Sequence, residues 1–177
     1  MKKTNSQRAR FLVQSAMIAA LYAVLTMVSA SMGLAYGTVQ FRISEVLTLL
    51  PVFTPAAIPG LAIGCLISNL ASPLGPVDWV FGTSATLLAA IFSYYARKVR
   101  IKNLPLVSAL SPVICNAFII GLEIAWLALA EGGGSLWIGF LSTAVSVGAG
   151  ELVICVCLGL PLCAFIEKTG AVRRIFN

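Results

Sequence analysis

Apolar residues along this chain fall into six blocks, separated by short breaks rich in polar residues, proline or glycine. Four blocks have the length of a membrane-spanning helix, which needs about 20 mainly apolar residues. The second block is short: at helical rise it extends about 16 Å, half of a ~30 Å hydrocarbon core. The pattern predicts helices at about 11–32, 44–54, 56–71, 79–97, 105–130 and 136–167.

Prolines 51, 55 and 59 interrupt the chain between the second and third blocks. If 44–71 were one membrane span, the basic segment 97–102 and the basic N-terminal region would lie on opposite sides of the membrane. A down-and-up pair broken near Pro55, or a re-entrant hairpin, instead places all three basic segments on the same side of the membrane. These segments are the N-terminal region, 97–102 and the C-terminal region from Lys168. The pattern does not distinguish the pair from the hairpin. Irregular helices at membrane depth occur where they are buried in protein or line a cavity. We therefore expect a cavity near the outer leaflet.

Composition places the chain among integral membrane proteins. Of its 177 residues, 59% are hydrophobic and 10% are charged, whereas soluble domains carry about 25% charged residues. The first apolar run is longer than the 7–15-residue core typical of a signal peptide, so we interpret it as a retained helix. We predict one all-α transmembrane domain, 1–177, in the cell membrane. By the positive-inside rule both termini are cytoplasmic, and Arg42, Asp78 and Glu131 are on the outer side.

Glu123 and Glu151 lie deep within predicted spans, where a charged side chain costs roughly 2.5–3.5 kcal/mol on insertion scales. Asn116 and Glu151 have similar depths when counted inward from Ala130 and Leu136. Glu123 follows Asn116 by two helical turns and shares its face. We expect Asn116 to contact Glu151, with Glu123 nearer the entrance of a site for a polar or cationic ligand. Hydrogen bonding between helices, with the glutamates protonated or paired with each other, is the alternative.

Polar residues also precede the short second helix. Gln40, Arg42 and Glu45 are candidates for a lid or a binding site. Alternatively, Ser44 caps the helix, Glu45 interacts with its dipole, and Arg42 extends to the headgroups.

Asp78 and Trp79 allow two similar interpretations at the start of the fourth span. Asp78 is a helix cap and Trp79 an interface anchor, or both contact a ligand. A carboxylate beside aromatic rings at a cavity mouth suits an aromatic, cationic molecule.

Enzymatic and metal-dependent functions have little support. The chain has no histidine and no paired Cys-x-x-Cys motif, and its five cysteines lie in apolar segments. This pattern is typical of small buried residues rather than of metal ligands. A phosphate-binding G-x-x-x-x-G-K-[ST] loop is also missing. We predict a protein that is not an enzyme and needs no cofactor. Two alternative functions remain: a small membrane enzyme, with Glu123 and Glu151 as acid and base, and a helical scaffold.

Small residues recur on the first helix at spacings of three and four: Ser15, Ala16, Ala19, Ala20 and Ala23. Such surfaces permit close helix contact. They serve either packing within this chain or docking onto a partner membrane protein.

A set of short motifs in a fixed order resembles the QueT family. These proteins are substrate-binding (S) subunits of energy-coupling-factor (ECF) importers, which take up vitamins in bacteria. The resemblance runs from the first helix almost to the C-terminus. The motifs are VQFRISE at 39–45, LPVFTPAAIPG at 50–60, SNL at 68–70, DWVFG at 78–82, NAFIIGLE at 116–123, GAGE at 148–151 and LGLP at 158–161.

The resemblance implies a six-helix fold with a site that opens outward. It also implies that the first helix docks on a transmembrane coupling subunit, which two cytoplasmic ATPases drive. Ala16 and Ala20 match the family's A-x-x-x-A docking motif, although Ala19 and Ala23 match it equally well. The implied substrate is a queuosine precursor or queuine-like base, a 7-deazaguanine.

The hydrogen-bonding chemistry of such a base leads us to expect roles for individual residues as well. Glu151 or Glu123 binds the base edge, the other acid or Asp78 binds an amine, and Asn116 contacts the ring carbonyl. Two buried acids suit cationic ligands generally, so an S subunit for another vitamin, such as thiamine or a cobalamin fragment, is the alternative. The remaining candidates are the stacking residues Trp79, Phe81 and Trp126, and the polar residues Gln40, Arg42, Glu45 and Asn69.

Overall fold

The computed structural model describes residues 5–36 and 40–170, and within them every regular element is helical. This confirms the all-α prediction. The last span is continuous, because α5 passes through a π-helical segment into α6. The elements are α1 (Asn5–Ser31), a 3₁₀ helix (Ile43–Val52), α2 (Ala57–Asn69), α3 (Pro76–Ala96), α4 (Leu106–Ala130), α5 (Leu136–Leu152), the π segment (Val153–Gly159) and α6 (Leu160–Lys168).

Four helical segments are long and apolar enough to cross a membrane: α1, α3, α4 and the continuous Leu136–Lys168. Their outer surfaces carry large exposed apolar side chains, among them Val80, Ile114 and Val145. A soluble protein rarely exposes contiguous apolar surface of this extent. The chain is a multi-pass membrane protein.

The 3₁₀ helix and α2 run in opposite directions along α1, an arrangement shared by the down-and-up pair and the re-entrant hairpin that the sequence left open. Each is about 20 Å long, so neither alone spans a ~30 Å core. The turn between them, at 53–56, lies against the first part of α1, where the Ser15 hydroxyl donates a hydrogen bond to the carbonyl of Ala56 (2.9 Å). The break falls at Pro55, as the sequence indicated.

Two glycines let α2 pack directly on α1. A Cβ at Gly60 would lie 2.7 Å from the Ser15 carbonyl oxygen, and one at Gly64 would lie 2.7 Å from that of Ala19. The two helices therefore run parallel with their backbones in contact.

A second contact defines one end of the bundle. Arg100, in the basic segment after α3, forms an ion pair with Glu167 near the end of α6 (2.8 Å). The basic segment 97–102 and the end of the last span therefore lie together. Further basic residues assigned to this side, Lys2, Lys3, Arg173 and Arg174, lie outside the described residues.

Candidate functional site

A cluster of buried polar side chains occupies the interior between the 3₁₀ helix, α3, α4 and α5. Each of its members has at most 5% of its surface exposed. All were singled out from the sequence: Gln40, Arg42, Glu45, Asn69, Asp78, Asn116, Glu123 and Glu151.

Asn116 and Glu151 make the contact that their depths predicted. The Asn116 amide donates a hydrogen bond to Glu151 Oε1 (2.8 Å). The helices that carry them pack as an antiparallel hairpin, with Gly121 against Ala144 and Gly148 against Ala117. The two glutamates of the spans are not hydrogen-bonded to each other, so the pairing in the alternative interpretation is wrong, whereas its hydrogen bond between helices is present in the Asn116–Glu151 contact.

Glu45 joins this pair from the 3₁₀ helix. The Tyr22 hydroxyl, on α1, donates a hydrogen bond to Glu45 Oε1, and Asn116 is within interaction range of the same carboxyl group. Sequence reasoning missed Tyr22. A signal was present, since Ser15, Tyr22 and Ser29 recur every seven residues and all lie on the buried face of α1.

Neither predicted helix cap is formed. Arg42, not Ser44, occupies the N-cap position of the 3₁₀ helix and makes no side-chain cap. The Ser44 hydroxyl instead accepts a hydrogen bond from Thr26 on α1 (2.8 Å). Asp78 lies in the first turn of α3, after the N-cap residue Gly75, and is completely buried. Packing against other helices, which a local pattern does not encode, determines where both side chains lie.

Arg42 is buried with its partners rather than extended toward headgroups. Its Nη2 lies 3.8 Å from Asp78 Oδ2, its Nε donates to the carbonyl of Ala35 (3.0 Å), and its guanidinium lies 5.2 Å from the centroid of the Tyr36 ring. Asn69 Nδ2 donates to the Asp78 carbonyl (3.0 Å). The loop before the 3₁₀ helix is thereby linked to α2 and α3.

Glycines allow this loop and these side chains to come close. A Cβ at Gly150 would lie 2.1 Å from the Gln40 carbonyl oxygen, so the loop backbone contacts α5 directly beside Glu151. A Cβ at Gly82 would lie 2.3 Å from Asn69 Nδ2. Both positions require the absence of a side chain.

Glu123 lies apart from the Asn116–Glu151 pair, at a cavity of about 170 Å³. The cavity is lined by Phe81, Leu122, Glu123, Trp126 and Leu136. Two of the three predicted stacking residues, Phe81 and Trp126, are therefore beside Glu123. The third, Trp79, is half-buried, and its indole nitrogen is buried without a hydrogen-bond partner in the described structure.

Several buried polar atoms of the cluster have no hydrogen-bond partner among the described residues. Buried polar groups in proteins are nearly always hydrogen-bonded, so these atoms are expected to find partners outside the described residues, such as an ordered water or a ligand. Carboxyl groups outnumber the single arginine in the cluster, which makes the site rich in acceptors. The atoms are Arg42 Nη2, Glu45 Oε2, Asn69 Oδ1, Asp78 Oδ2 and both carboxyl oxygens of Glu123.

Metal ligation finds no support in the described part of the chain. There, no three histidine, cysteine or acidic side chains are grouped as metal ligands would be. The arrangement suits recognition of an organic molecule through hydrogen bonds and charge.

Comparison with known proteins points to one family. The family model described as QueT transporter matches residues 12–168. A relative, the queuosine precursor transporter QueT of Lactococcus lactis subsp. cremoris (strain MG1363), is 40% identical over 77 residues. The match covers 44% of this chain and 45% of the relative, so it spans less than half of that protein's length. No solved structure matches.

Proposed function

Because the chain belongs to the QueT transporter family, we propose that it captures a queuosine precursor of the 7-deazaguanine type at the buried polar cluster. The observation that carries this proposal is the set of buried acceptor atoms without a hydrogen-bond partner among the described residues, on Glu45, Asn69, Asp78 and Glu123. The relative's name supplies the substrate class, and the chemistry of the site agrees with it.

A 7-deazaguanine presents adjacent donors, a ring N–H and an exocyclic amine, next to a ring carbonyl. A carboxylate accepts two such donors together, and bonds to an ionised acceptor are shorter and stronger than neutral ones. Glu45 Oε2 is free to accept, and Glu151 Oε2 has only the Cys155 thiol nearby at 3.8 Å. In the proposed mode, Glu45 and Glu151 accept the base-edge donors, while the ring carbonyl takes a donor from Arg42 or Asn116.

The site also explains why a cationic vitamin, such as thiamine, is the second candidate. Glu45, Asp78, Glu123 and Glu151 accompany one buried arginine among the described residues, so the site attracts positive charge. A cation lacking the paired base-edge donors would, however, leave the Glu45 and Glu151 oxygens poorly matched. Unpaired buried acceptors cost about 1–3 kcal/mol each, which favours the deazaguanine.

We further propose that the chain acts as the S subunit of an ECF importer. The sequence carries no Walker-type phosphate loop, so partner ATPases would supply the energy for uptake. Ala16 and Ala20 are exposed on α1 among large apolar side chains, including Leu12, Met17 and Val24, and form a flat surface for a membrane partner. In this arrangement the basic end of the bundle is cytoplasmic, and the Glu123 cavity is nearer the outer side.

Replacing Glu151 by glutamine tests the site. We expect Glu151→Gln to raise the Kd for 7-aminomethyl-7-deazaguanine at least about tenfold, equivalent to ~1.4 kcal/mol, because a neutral amide accepts and donates at the wrong atoms. Calorimetric titration of the purified protein measures this. Glu131→Gln, at an exposed position after α4, is the matched control and should leave the Kd unchanged. Equal affinity in Glu151→Gln and the unaltered protein would refute the site.

A further inference from the structure

An apolar groove lies on the outside of the bundle, between the second half of α3 and the first half of α4. Its volume is about 260 Å³. Phe92 and Ile114, on its two walls, are 54% and 65% exposed, so the groove opens away from the protein interior. Because α3 and α4 are long and apolar enough to cross a membrane, it faces lipid chains. The lining of this α3–α4 groove includes Phe92, Ala96, Val107, Leu110, Ser111 and Ile114.

The α3–α4 groove ends at the basic segment 97–102. Ala96 is the last residue of α3 and Val107 lies in the first turn of α4, so the short connection between these helices is at this end of the groove. Ile114 follows Val107 by seven residues, which gives the groove a length of about 10 Å along the axis of α4. An elongated apolar surface therefore meets positive charge at one end.

Two of the four basic residues in this segment have partners within the protein, and two do not. The guanidinium of Arg97 lies 3.7 Å from the centroid of the Tyr94 ring, and Arg100 forms the ion pair with α6. Lys98 and Lys102 are exposed, and neither forms an ion pair with a described residue. Their ammonium groups are available for an anion from outside the chain.

A tight turn keeps Lys102 at the end of the groove. Ile101 and Leu104 exchange two backbone hydrogen bonds, each of 3.0 Å. Between them, Lys102 and Asn103 have φ angles of 51° and 63°, and a positive φ at both central positions defines a type I′ turn. Such φ angles are uncommon for residues other than glycine. The connection between α3 and α4 is compact as a result, and Lys102 is at its tip.

Two other grooves between the long helices lack this combination. One, of about 250 Å³, includes Leu129 and Ile138. The other is the cavity that Phe81 and Trp126 line. Both lie toward the opposite end of α4, where the charged residue that follows the helix is the acid Glu131. Among these three grooves, the α3–α4 groove alone joins apolar walls to a basic segment.

We propose that the α3–α4 groove binds one acyl chain of an anionic phospholipid, whose phosphate contacts Lys98 and Lys102. An acyl chain matches the apolar walls, and lysines next to a membrane helix attract anionic headgroups. The groove is also remote from the proposed docking face, because α1 packs on α2, α2 on α3 and α3 on α4. The inference goes beyond the proposed function and does not depend on the captured ligand.

The test compares two lipids that have the same acyl chains and differ in headgroup charge. Delipidated protein in detergent is titrated with phosphatidylglycerol, which is anionic, and with phosphatidylcholine, which is zwitterionic, and native mass spectrometry counts the bound lipid. We expect phosphatidylglycerol to bind at least about tenfold more tightly, because each lysine near the headgroup contributes roughly fivefold. Lys98→Gln combined with Lys102→Gln should reduce this preference to less than about twofold.

A charge-matched control separates a site from general surface charge. Arg8→Gln combined with Lys168→Gln also removes two positive charges, from exposed positions outside the groove, and should retain the preference. A groove-filling variant tests the acyl chain separately. Ala96 is partly exposed, so Ala96→Leu should fold normally and weaken both lipids by about fivefold, because the added side chain displaces part of the chain. Thermal unfolding verifies that each variant is folded.

Four results would overturn the lipid site. Equal binding of the two lipids by the unaltered protein would exclude recognition of the phosphate. An equal loss of preference in the charge-matched control would assign it to diffuse surface charge. Unchanged binding in Ala96→Leu would place the acyl chain elsewhere. Loss of co-purification with the ECF coupling subunit in Ala96→Leu, with lipid binding unchanged, would make the groove a protein contact instead.

Discussion

Tyr22 and Glu45 show how one hydrogen bond prepares a carboxyl group for a ligand. The Tyr22 hydroxyl binds Glu45 Oε1, which leaves Oε2 as the buried oxygen without a partner. Because Tyr22 is completely buried on α1, its ring has no room to follow a displaced carboxyl group. Tyr22 therefore acts as a positioning residue for the proposed site.

We predict that Tyr22→Phe weakens ligand binding by about tenfold while the protein remains folded. Removing the hydroxyl leaves Glu45 Oε1 unpaired, at a cost of about 1–3 kcal/mol, and frees the carboxyl group to rotate away from the ligand. Calorimetric Kd values measure the effect. Tyr95→Phe is the control, because Tyr95 is exposed on α3. If Tyr22→Phe binds as tightly as Tyr95→Phe, Tyr22 has no part in positioning Glu45.

Some residue contacts were predictable from the sequence, and others were not. The Asn116–Glu151 hydrogen bond followed from counting residues, because helical rise is regular and fixes relative depth in an antiparallel pair. The roles of Ser44 and Asp78 did not follow, since the same residues suit a helix cap and a buried contact equally well. Only the packing of α1 and α2 against their side chains decides between the two.

Helix α1 has one face buried within the protein and one exposed face. Ser15, Ala19 and Tyr22 are buried against α2 and the 3₁₀ helix, whereas Ala16 and Ala20 are exposed. The small residues that the sequence offered as one docking surface therefore separate into an internal packing face and a free face. The proposed docking surface narrows to Ala16 and Ala20.

We predict opposite effects from leucine substitutions on the two faces. Ala16→Leu together with Ala20→Leu should abolish co-purification with the ECF coupling subunit, because the added side chains prevent close helix approach, and should leave the ligand Kd unchanged. Ala19→Leu is the matched comparison. Ala19 faces Gly64 at backbone contact, so overpacking should lower stability by about 1–3 kcal/mol, seen as a lower Tm. Normal co-purification of the double variant would contradict the docking assignment.

The sequence predicted where helices occur, but not which of them are α, 3₁₀ or π helices. Runs of apolar residues end at proline, glycine and charged residues, and the helix ends lie within three residues of these boundaries except at α1, which begins at Asn5 rather than near residue 11. The 3₁₀ geometry of Ile43–Val52 and the π geometry of Val153–Gly159 leave no comparable pattern, because hydrophobicity alone does not distinguish helix types. The π segment has a consequence for the site: it contains Cys155, whose Sγ lies 3.8 Å from Glu151.

Across the whole molecule, the positions of acceptor groups and of charge agree with the proposed capture of a polar ligand. An apolar exterior encloses a cluster with more carboxyl groups than basic groups, and the basic segment 97–102 lies beside the end of α6, where Arg100 and Glu167 pair. The sequence could indicate the membrane class and the buried acids. The sequence could not indicate how those acids are oriented relative to one another, because their orientation depends on the packing of helices that are distant in the sequence.

The most direct test of the proposed capture function is a binding panel on the purified, unaltered protein. Calorimetric titration with 7-aminomethyl-7-deazaguanine, queuine, thiamine and riboflavin compares the two candidate classes at one site. We predict saturable, one-to-one binding of the deazaguanines and none of the two vitamins. Binding of thiamine or riboflavin with no response to either deazaguanine would contradict the proposed substrate.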